Sequence, residues 1–531
     1  MVGDMVPVFN GTIDNCIKLA TKALTTYRSF RGADAAIDEK LVLVEHHWRK
    51  VQIKLLVLRK ISDQLGRDLA QSQFNLLHKL QGKLLQATSL IESLKPKGRL
   101  SKRSALDFLK KLQYSLVLKN CLDELVVELD KWQDQFDPTW YLTTRMRDIA
   151  IDSALAESRT EQATASGPNV TTLDKMIALR HAIKQDNKTL KGESGTQFSI
   201  NLPASGLHGA TETSIPFSAA RAIMKNRSTK LLIGETVDPL SGNISQVKVD
   251  VENLARRLKQ IDPDAFGLLC CHGISKHFDA ANRLLSIDML YETPEDSAPP
   301  TSLRQLLLQQ QPVSVSAIIR LVKQLVRSVS YIHACDFVHK NIRPENVIVF
   351  SGKTSSLGSS FLLGFNQFRN TNFQTNLIGD PAWNRNLYRH PQRQGLCVQD
   401  RYVMQHDIYS LGVCMLEIGL WKPFVWYPKD SADAAPVPAV ALGLSLSDTQ
   451  FQTLKSTTSL RIKEHLVQLA KTELPHKLGD MYTAIVLACL NCLDAGNEAF
   501  GTEQELADED GILVGVRFIE NVLIKMNEIS I

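Results

Sequence analysis

The stretch His339-Lys340-Asn341-Ile342-Arg343-Pro344-Glu345-Asn346 decides the fold of the larger part of this chain. It is polar, contains a proline, and lies between two segments of different periodicity. Upstream, Ile318, Val322, Leu325, Val329 and Ile332 recur at steps of three and four, which predicts a long amphipathic helix ending near His333. Downstream, Val347-Ile348-Val349-Phe350 reads as a short strand. The octet is therefore a loop between helix and strand. Two further phrases follow it in order, Tyr388-Arg389-His390-Pro391-Gln392 and His406-Asp407-Ile408-Tyr409-Ser410-Leu411-Gly412-Val413.

The octet resembles the protein-kinase catalytic loop H-R-D-x-x-x-x-N. The phrase at His406 resembles the D-x-x-S-x-G start of the large central helix of the kinase C-lobe, and Tyr388–Gln392 stands where A-P-E closes the activation segment. The resemblance implies an α+β bilobal protein-kinase-like fold over 198–531, with an N-lobe at about 198–292 and a C-lobe at about 300–531. His339-Lys340-Asn341, Leu416-Glu417-Ile418-Gly419-Leu420-Trp421 and Leu478-Gly479-Asp480 also look like a fungal kinase-like family often fused to HeLo-type bundles.

Read residue by residue, this resemblance implies that phosphate transfer has been lost. The kinase Asp that orients the substrate hydroxyl corresponds to Asn341, and a carboxamide is not a useful base. The segment Leu362-Leu363-Gly364-Phe365-Asn366 stands at D-F-G, so Gly364 replaces the magnesium-holding carboxylate and Asn366 the final glycine. No G-x-G-x-x-G is found, since Gly206 and Gly209 lie in polar sequence. Aligning V-A-I-K with Leu231-Leu232-Ile233-Gly234-Glu235-Thr236 puts Thr236 at the phosphate lysine, with Lys230 close by; both are weak cofactor-binding candidates. Arg343 and Asn346 match the second basic residue and second magnesium ligand of the loop, while His339, Asp407 and Pro391 keep structural roles. No catalytic set is intact. No cofactor is expected, and ATP with magnesium enters only if the chain is an unusual active kinase. Thr371 and Thr375 lie in the activation segment, where phosphorylation is conceivable.

The first 152 residues read differently. Ile37, Leu41, Val44, Trp48, Val51, Leu55 and Leu58 form one apolar stripe. Leu77, Leu80, Leu84, Ala87, Ile91 and Leu94 form a second, and Leu118, Leu122, Leu125, Leu129, Trp132 and Phe136 a third. With an opening helix near Phe9–Tyr27, an all-α four-helix bundle is the simplest packing. The segment 153–197 is rich in small polar residues, and Leu173, Met176, Ile177, Leu179 and Ile183 mark one short helix inside this linker.

Phe9, the pattern Cys16-Ile17-Lys18-Leu19-Ala20 and a long helix carrying Glu45 and Trp48 resemble the HeLo and HeLo-like (prion-inhibition and propagation) domains of filamentous fungi. That family is similar to the N-terminal bundle of the mixed lineage kinase domain-like protein. The resemblance implies membrane permeabilisation and regulated cell death, as in heterokaryon incompatibility. Lys95, Lys97, Arg99, Lys102 and Arg103 cluster around Pro96 and Gly98 and are the lipid-binding candidates, each cation adding about 1 kcal/mol at an anionic surface. A solvated loop explains the same cluster.

Charge follows this division. Residues 1–150 hold 24 basic and 17 acidic residues, against 37 and 39 in the remainder, which suggests an anionic partner for the first part. No apolar run reaches about 18 residues, and no signal peptide opens the chain. Nine scattered cysteines point to reduced thiols and a cytoplasmic protein. The pair Cys489 and Cys492 lies in an apolar helix and reads as core, not metal.

Three functions fit. The first is a cell-death effector, recruited to the plasma membrane on activation by an upstream protein and possible as a homo-oligomer. The second is a pseudokinase scaffold or signalling adaptor, and the third an atypical ATP-dependent protein kinase. Nucleic-acid binding is not expected, because no basic stripe interleaves with aromatics.

Overall fold

The computed structural model describes residues 2–32, 35–93, 112–146, 148–163, 172–185, 200–203, 209–224, 231–238, 244–294, 298–351, 357–366, 369–370, 378–397, 402–428, 434–447, 457–497, 499–501 and 512–530. The lipid-binding candidates Lys95, Lys97, Arg99, Lys102 and Arg103, the nucleotide candidate Lys230, and Thr371 and Thr375 lie outside the described residues. The chain divides into two compact units, Met1–Ala178 and Leu179–Ile531.

The first unit is all-helical among its described residues. Four long helices carry it: α1 (Val2–Arg28), α2 (Ala35–Lys60), α3 (Arg67–Ser93) and α4 (Leu112–Leu142). They form because apolar residues recur on one face of each. The stripe from Ile37 to Leu58 is buried along α2, and Leu118 to Phe136 along α4. The helices alternate in direction along the chain, but α2 takes α1 and α4 as its neighbours rather than α3. Arg59 meets Asp14 at 2.9 Å and Arg28 meets Glu45 at 2.7 Å, so α1 and α2 are antiparallel. Phe9 against Phe74, and Cys16 Sγ with the Leu77 carbonyl, make α1 and α3 parallel neighbours. Lys83–Glu128 at 2.9 Å and Trp132 Nε1 on the Leu76 carbonyl make α3 and α4 antiparallel. A ladder closes the ring between parallel α2 and α4: Lys40 with Asp123, His47 with Asp130 at 2.6 Å, and Lys54 with Asp137. Two shorter helices follow, α5 (Ile149–Ala163) and α6 (Thr172–Gln185). α5 covers α2, where Lys60 meets Glu161 at 3.0 Å, and Arg159 joins Asp174 of α6 at 2.9 Å. The polar composition of 153–163 therefore coexists with a helix.

The second unit begins with an antiparallel five-stranded sheet in the order β1-β2-β3-β5-β4. Its strands are β1 (Thr211–Ser214), β2 (Arg221–Met224), β3 (Leu231–Val237), β4 (Cys271–Phe278) and β5 (Leu284–Glu292). α7 (Ile244–Leu258) packs on β4 and β5, where Glu252 receives Lys276 at 2.6 Å. A second sheet joins β6 (Pro300–Ser302), β8 (Val347–Phe350) and β9 (Ser360–Leu362) in the order β6-β8-β9. Around it lie α8 (Leu303–Gln309), α9 (Val315–Ala334), α10 (Met404–Leu420) and α11 (Thr457–Leu490), the last interrupted at Gly479.

α10 is the axis of this unit, and all of its residues are buried. Two glycines let α11 approach it. A Cβ at Gly412 would lie 2.8 Å from Cys489 Cβ, and one at Gly419 would lie 2.9 Å from Leu474 and Tyr482 side-chain atoms. Close packing at these points is possible only without a side chain. No helix among the described residues is long and apolar enough to cross a membrane.

Candidate functional site

The site forms where the loop after α9 meets the loop after β9. α9 is capped by Ser314, whose hydroxyl accepts from the Ala317 amide, and its apolar stripe from Ile318 to Ile332 is buried. The helix ends at Ala334, and β7 (Phe337–Val338) leads into His339. One carboxylate fixes the turn. Asp407, in the first turn of α10, accepts from the His339 amide at 2.7 Å, the Lys340 amide at 2.9 Å and the Tyr402 hydroxyl at 2.7 Å, and lies 3.2 Å from His333 Nε2. These donors allow Lys340 to adopt a φ of 64°. Burial opposes ionisation of Asp407, but the hydrogen bonds from His333 and Tyr402 outweigh it and hold the carboxyl below its usual range.

His339 is buried, and burial pushes its pKa down to about 4, so it is neutral. Its Nδ1 accepts from the Asn341 amide at 3.2 Å, which leaves the proton on Nε2 to be donated to the Leu363 carbonyl at 3.0 Å. The two loops are thereby tied together. Asn341 extends the tie: its Nδ2 donates to Asn366 Oδ1 at 2.9 Å and to the Gly364 carbonyl at 3.3 Å, and its Oδ1 accepts from Arg343 Nε at 3.0 Å. Asn346 donates to the Asn341 carbonyl at 2.6 Å and accepts from the Leu363 amide at 2.7 Å through its own carbonyl. Six sequence-derived positions, His339, Asn341, Arg343, Asn346, Gly364 and Asn366, thus occupy one hydrogen-bonded cluster anchored by Asp407.

Gly364 has a φ of 94°, and a Cβ there would lie 2.4 Å from Asn346 Cγ and Nδ2. The Asn346 side chain already fills the space that a residue 364 side chain would need. The amides of Gly364 and Phe365 point instead to Glu235 on β3, which accepts from them at 2.6 and 3.4 Å. Tyr291 of β5 donates to the same carboxyl at 3.3 Å. Glu235 is buried, and burial pushes its pKa up to about 7 against the lowering effect of these hydrogen bonds.

Thr236 lies on the other face of the strand. Its hydroxyl donates to Asp288 at 2.7 Å and accepts from Arg221 at 2.7 Å, so it does not face Gly364. Glu235, not Thr236, is the β3 side chain directed at the cluster. The sequence carried one signal for it, the single acidic residue of this strand.

The one carboxylate of the octet, Glu345, is turned away. It meets Arg304 at 2.8 Å, and Arg304 also holds Glu417 at 2.6 Å and the Tyr388 hydroxyl at 2.6 Å, all buried. This network joins α8, the octet and α10. Cys489 and Cys492 are both buried, and burial raises both thiols far above the ordinary value. No group of three His, Cys, Asp or Glu able to hold a metal occurs among the described residues.

No family model matches the chain. It is similar to a probable serine/threonine-protein kinase of Dictyostelium discoideum, 23% identical over 126 residues, covering 23% of this chain and 7% of that protein. It is also similar to cyclin-dependent kinase 4 of Ovis aries and of Sus scrofa, 29% identical over 137 residues in each case, covering 26% of this chain and 39% of those proteins. The chain spans less than half the length of these curated relatives. A distant likeness to protein kinases over part of the chain therefore stands beside an N-terminal all-helical region.

Proposed function

We propose that the second unit is a kinase-like module, bilobal in the manner of that family, that has exchanged phosphate transfer for regulation. The observation that carries this reading is Glu235. Phosphoryl transfer needs a cation on β3 to hold phosphates and carboxylates to hold magnesium. Here a buried carboxylate on β3 caps the Gly364 and Phe365 amides, and a glycine and carboxamides stand at the metal and base positions. A triphosphate entering beside Glu235 would find no cation on β3, and a metal would find no free carboxylate in this cluster.

The helical unit is then the effector. In this reading it acts at an anionic membrane in regulated cell death, held in check by the kinase-like module until an upstream protein releases it. The protein is cytoplasmic at rest. The resemblance to HeLo-type bundles and the net positive charge of residues 1–150 support this part.

One experiment with two readouts tests the proposal. The purified full chain is melted with and without millimolar ATP and magnesium, and its phosphate transfer to a generic protein substrate is followed. A ligand at a hundred times its Kd would add about 2.7 kcal/mol of stability. The expected results are no shift and no transfer, and metal-dependent transfer would establish an active kinase instead. In the second readout, residues 1–178 and the full chain are added to dye-loaded liposomes containing anionic lipid. Leakage by the shorter chain alone is expected, whereas no leakage and no liposome binding by either would replace the effector with a scaffold or adaptor.

A further inference from the structure

The five-stranded sheet has a further neighbour. β4 is its edge strand, and an open edge presents backbone groups that pair with an extended chain brought to it. Residues 200–202 lie along that edge. Asn201 and Ile274 form a parallel bridge: the Ile274 amide donates to the Ile200 carbonyl at 2.8 Å, and the Leu202 amide donates to the Ile274 carbonyl at 2.8 Å. The strand pairs within the sheet are all antiparallel. A parallel neighbour cannot be a hairpin continuation of β4, so this is a separate piece of chain laid against it.

Two side chains and one glycine fit the segment to its place. Ile200 is buried, and Leu202 packs against the cluster of Ile223, Leu232 and Leu290. Gly273 supplies the room. A Cβ there would lie 2.7 Å from Leu202 Cγ and 2.8 Å from the Ile200 carbonyl oxygen, and its three nearest atoms all belong to the segment. The edge thus recognises an extended stretch with aliphatic residues two positions apart, seated through main-chain hydrogen bonds.

We propose that the β4 edge is an exchangeable strand site whose partner in trans is the Ile200-Asn201-Leu202 segment of a second copy of this chain. The hold within one chain is small: two backbone hydrogen bonds to a single residue, and two aliphatic side chains. Each copy carries both the site and its ligand, so two copies that trade segments keep every one of these contacts and close as a symmetric pair. The chain length permits the trade. Nine residue steps separate Leu202 from Thr211 at the start of β1, a reach of about 30 Å. Crossing from β4 to β1 within one sheet takes four strand spacings, about 19 Å. The difference lets the segment reach the edge of a neighbouring sheet. In the natural chain the tethered segment competes at about millimolar effective concentration, so exchange is favoured when copies are brought together or the chain's own segment is withdrawn.

This inference uses neither the nucleotide nor the membrane reading, so its test is independent of both. Two full-length variants divide the site from its ligand. Gly273→Ala blocks the site and keeps the segment. Ile200→Asp with Leu202→Asp disables the segment and keeps the site. Hydrogen exchange at the Ile274 amide is followed in the second variant alone and after addition of the first. Alone, that amide should exchange about tenfold faster than in the natural chain, because its acceptor has gone. Adding the Gly273→Ala chain should return protection as its concentration rises, with one-to-one pairs in sedimentation. A chain carrying all three substitutions should return none. Natural protection retained in the second variant alone would overturn the site. No recovery with about 0.5 mM of each chain, where a pairing of submillimolar Kd is largely formed, would overturn exchange between copies, as would equal recovery with the triple variant. Retained near-ultraviolet circular dichroism in each variant shows that the comparison is made on folded protein.

Discussion

Replacing Gly364 by alanine tests whether the cluster is as tightly filled as its distances say. The perturbation has three parts. A φ of 94° is a backbone region that L side chains rarely adopt, costing about 1–2 kcal/mol. The new Cβ would sit 2.4 Å from Asn346 Cγ and Nδ2, and forcing such an overlap apart in a packed interior costs about 1–3 kcal/mol. Asn346 cannot swing aside freely, because its Nδ2 donates to the Asn341 carbonyl at 2.6 Å; losing that bond costs about 1 kcal/mol more. Together they give roughly 3–6 kcal/mol, a large share of the stability of an ordinary domain. In urea denaturation, with a slope of about 3 kcal/mol per molar, the midpoint of the second unit should fall by about 1–2 M. Pairing the change with Asn346→Gly should return the steric share. A Gly364→Ala chain within about 0.5 kcal/mol of the natural one, or a pair no better than the single change, would refute the crowding argument. The same obstacle faces Gly364→Asp, which should cost stability in the same way.

Three further outcomes are expected. Arg304→Leu strands Glu345 and Glu417 in the interior and should cost about 3–5 kcal/mol, read as a lower melting temperature, whereas Tyr388→Phe should cost only about 1–2 kcal/mol. Acid should destabilise the second unit. His339, His390 and His406 are pushed by burial down to about 4, 3 and 3, so the unfolded chain takes up protons below about pH 6.5 that the folded chain refuses, at about 2 kcal/mol per histidine by pH 5. Glu235 works in the opposite direction between pH 7 and 4.5, so Glu235→Gln should steepen the acid loss in thermal melts at pH 7, 6 and 5. In the helical unit, Lys54→Met should cost about 1–2 kcal/mol because Lys54 is buried, and Lys40→Ala less than about 0.5 kcal/mol because that pair is largely exposed; equal losses would contradict the burial difference.

The octet at His339 was legible because its residues act locally: a proline, a short loop and flanking periodicities place it between helix and strand. Asp407 was legible only through the resemblance of its phrase to the D-x-x-S-x-G start of the central kinase helix, which implies a structural role. The face of β3 was not. Thr236 followed from aligning the run with V-A-I-K, and because Glu235 and Thr236 are adjacent and both polar, composition does not say which of them turns inward; in the structure Glu235 is buried and Thr236 exposed. In the helical unit the stripes were readable, but a stripe says which residues are buried and not which helix buries them. The parallel pairing of α2 with α4 depends on contacts far apart in sequence. The helix over 153–163 was obscured because Ser, Glu, Thr and Gln serve a solvated helix face as readily as a linker.

The ladder between α2 and α4 has a consequence for motion. Its partners, Lys40 with Asp123, His47 with Asp130 and Lys54 with Asp137, are each separated by the same interval of sequence and repeat every seventh residue. A slide of one helix along the other by one residue misaligns every rung together. Alignment returns only after a full heptad, about 10.5 Å along the axis, when Lys40 would face Asp130 and His47 would face Asp137. The seam therefore behaves as a ratchet with one coarse tooth. Small displacements within the helical unit are resisted at all three rungs, and a rearrangement of this pair must either move by a whole tooth or separate the helices entirely.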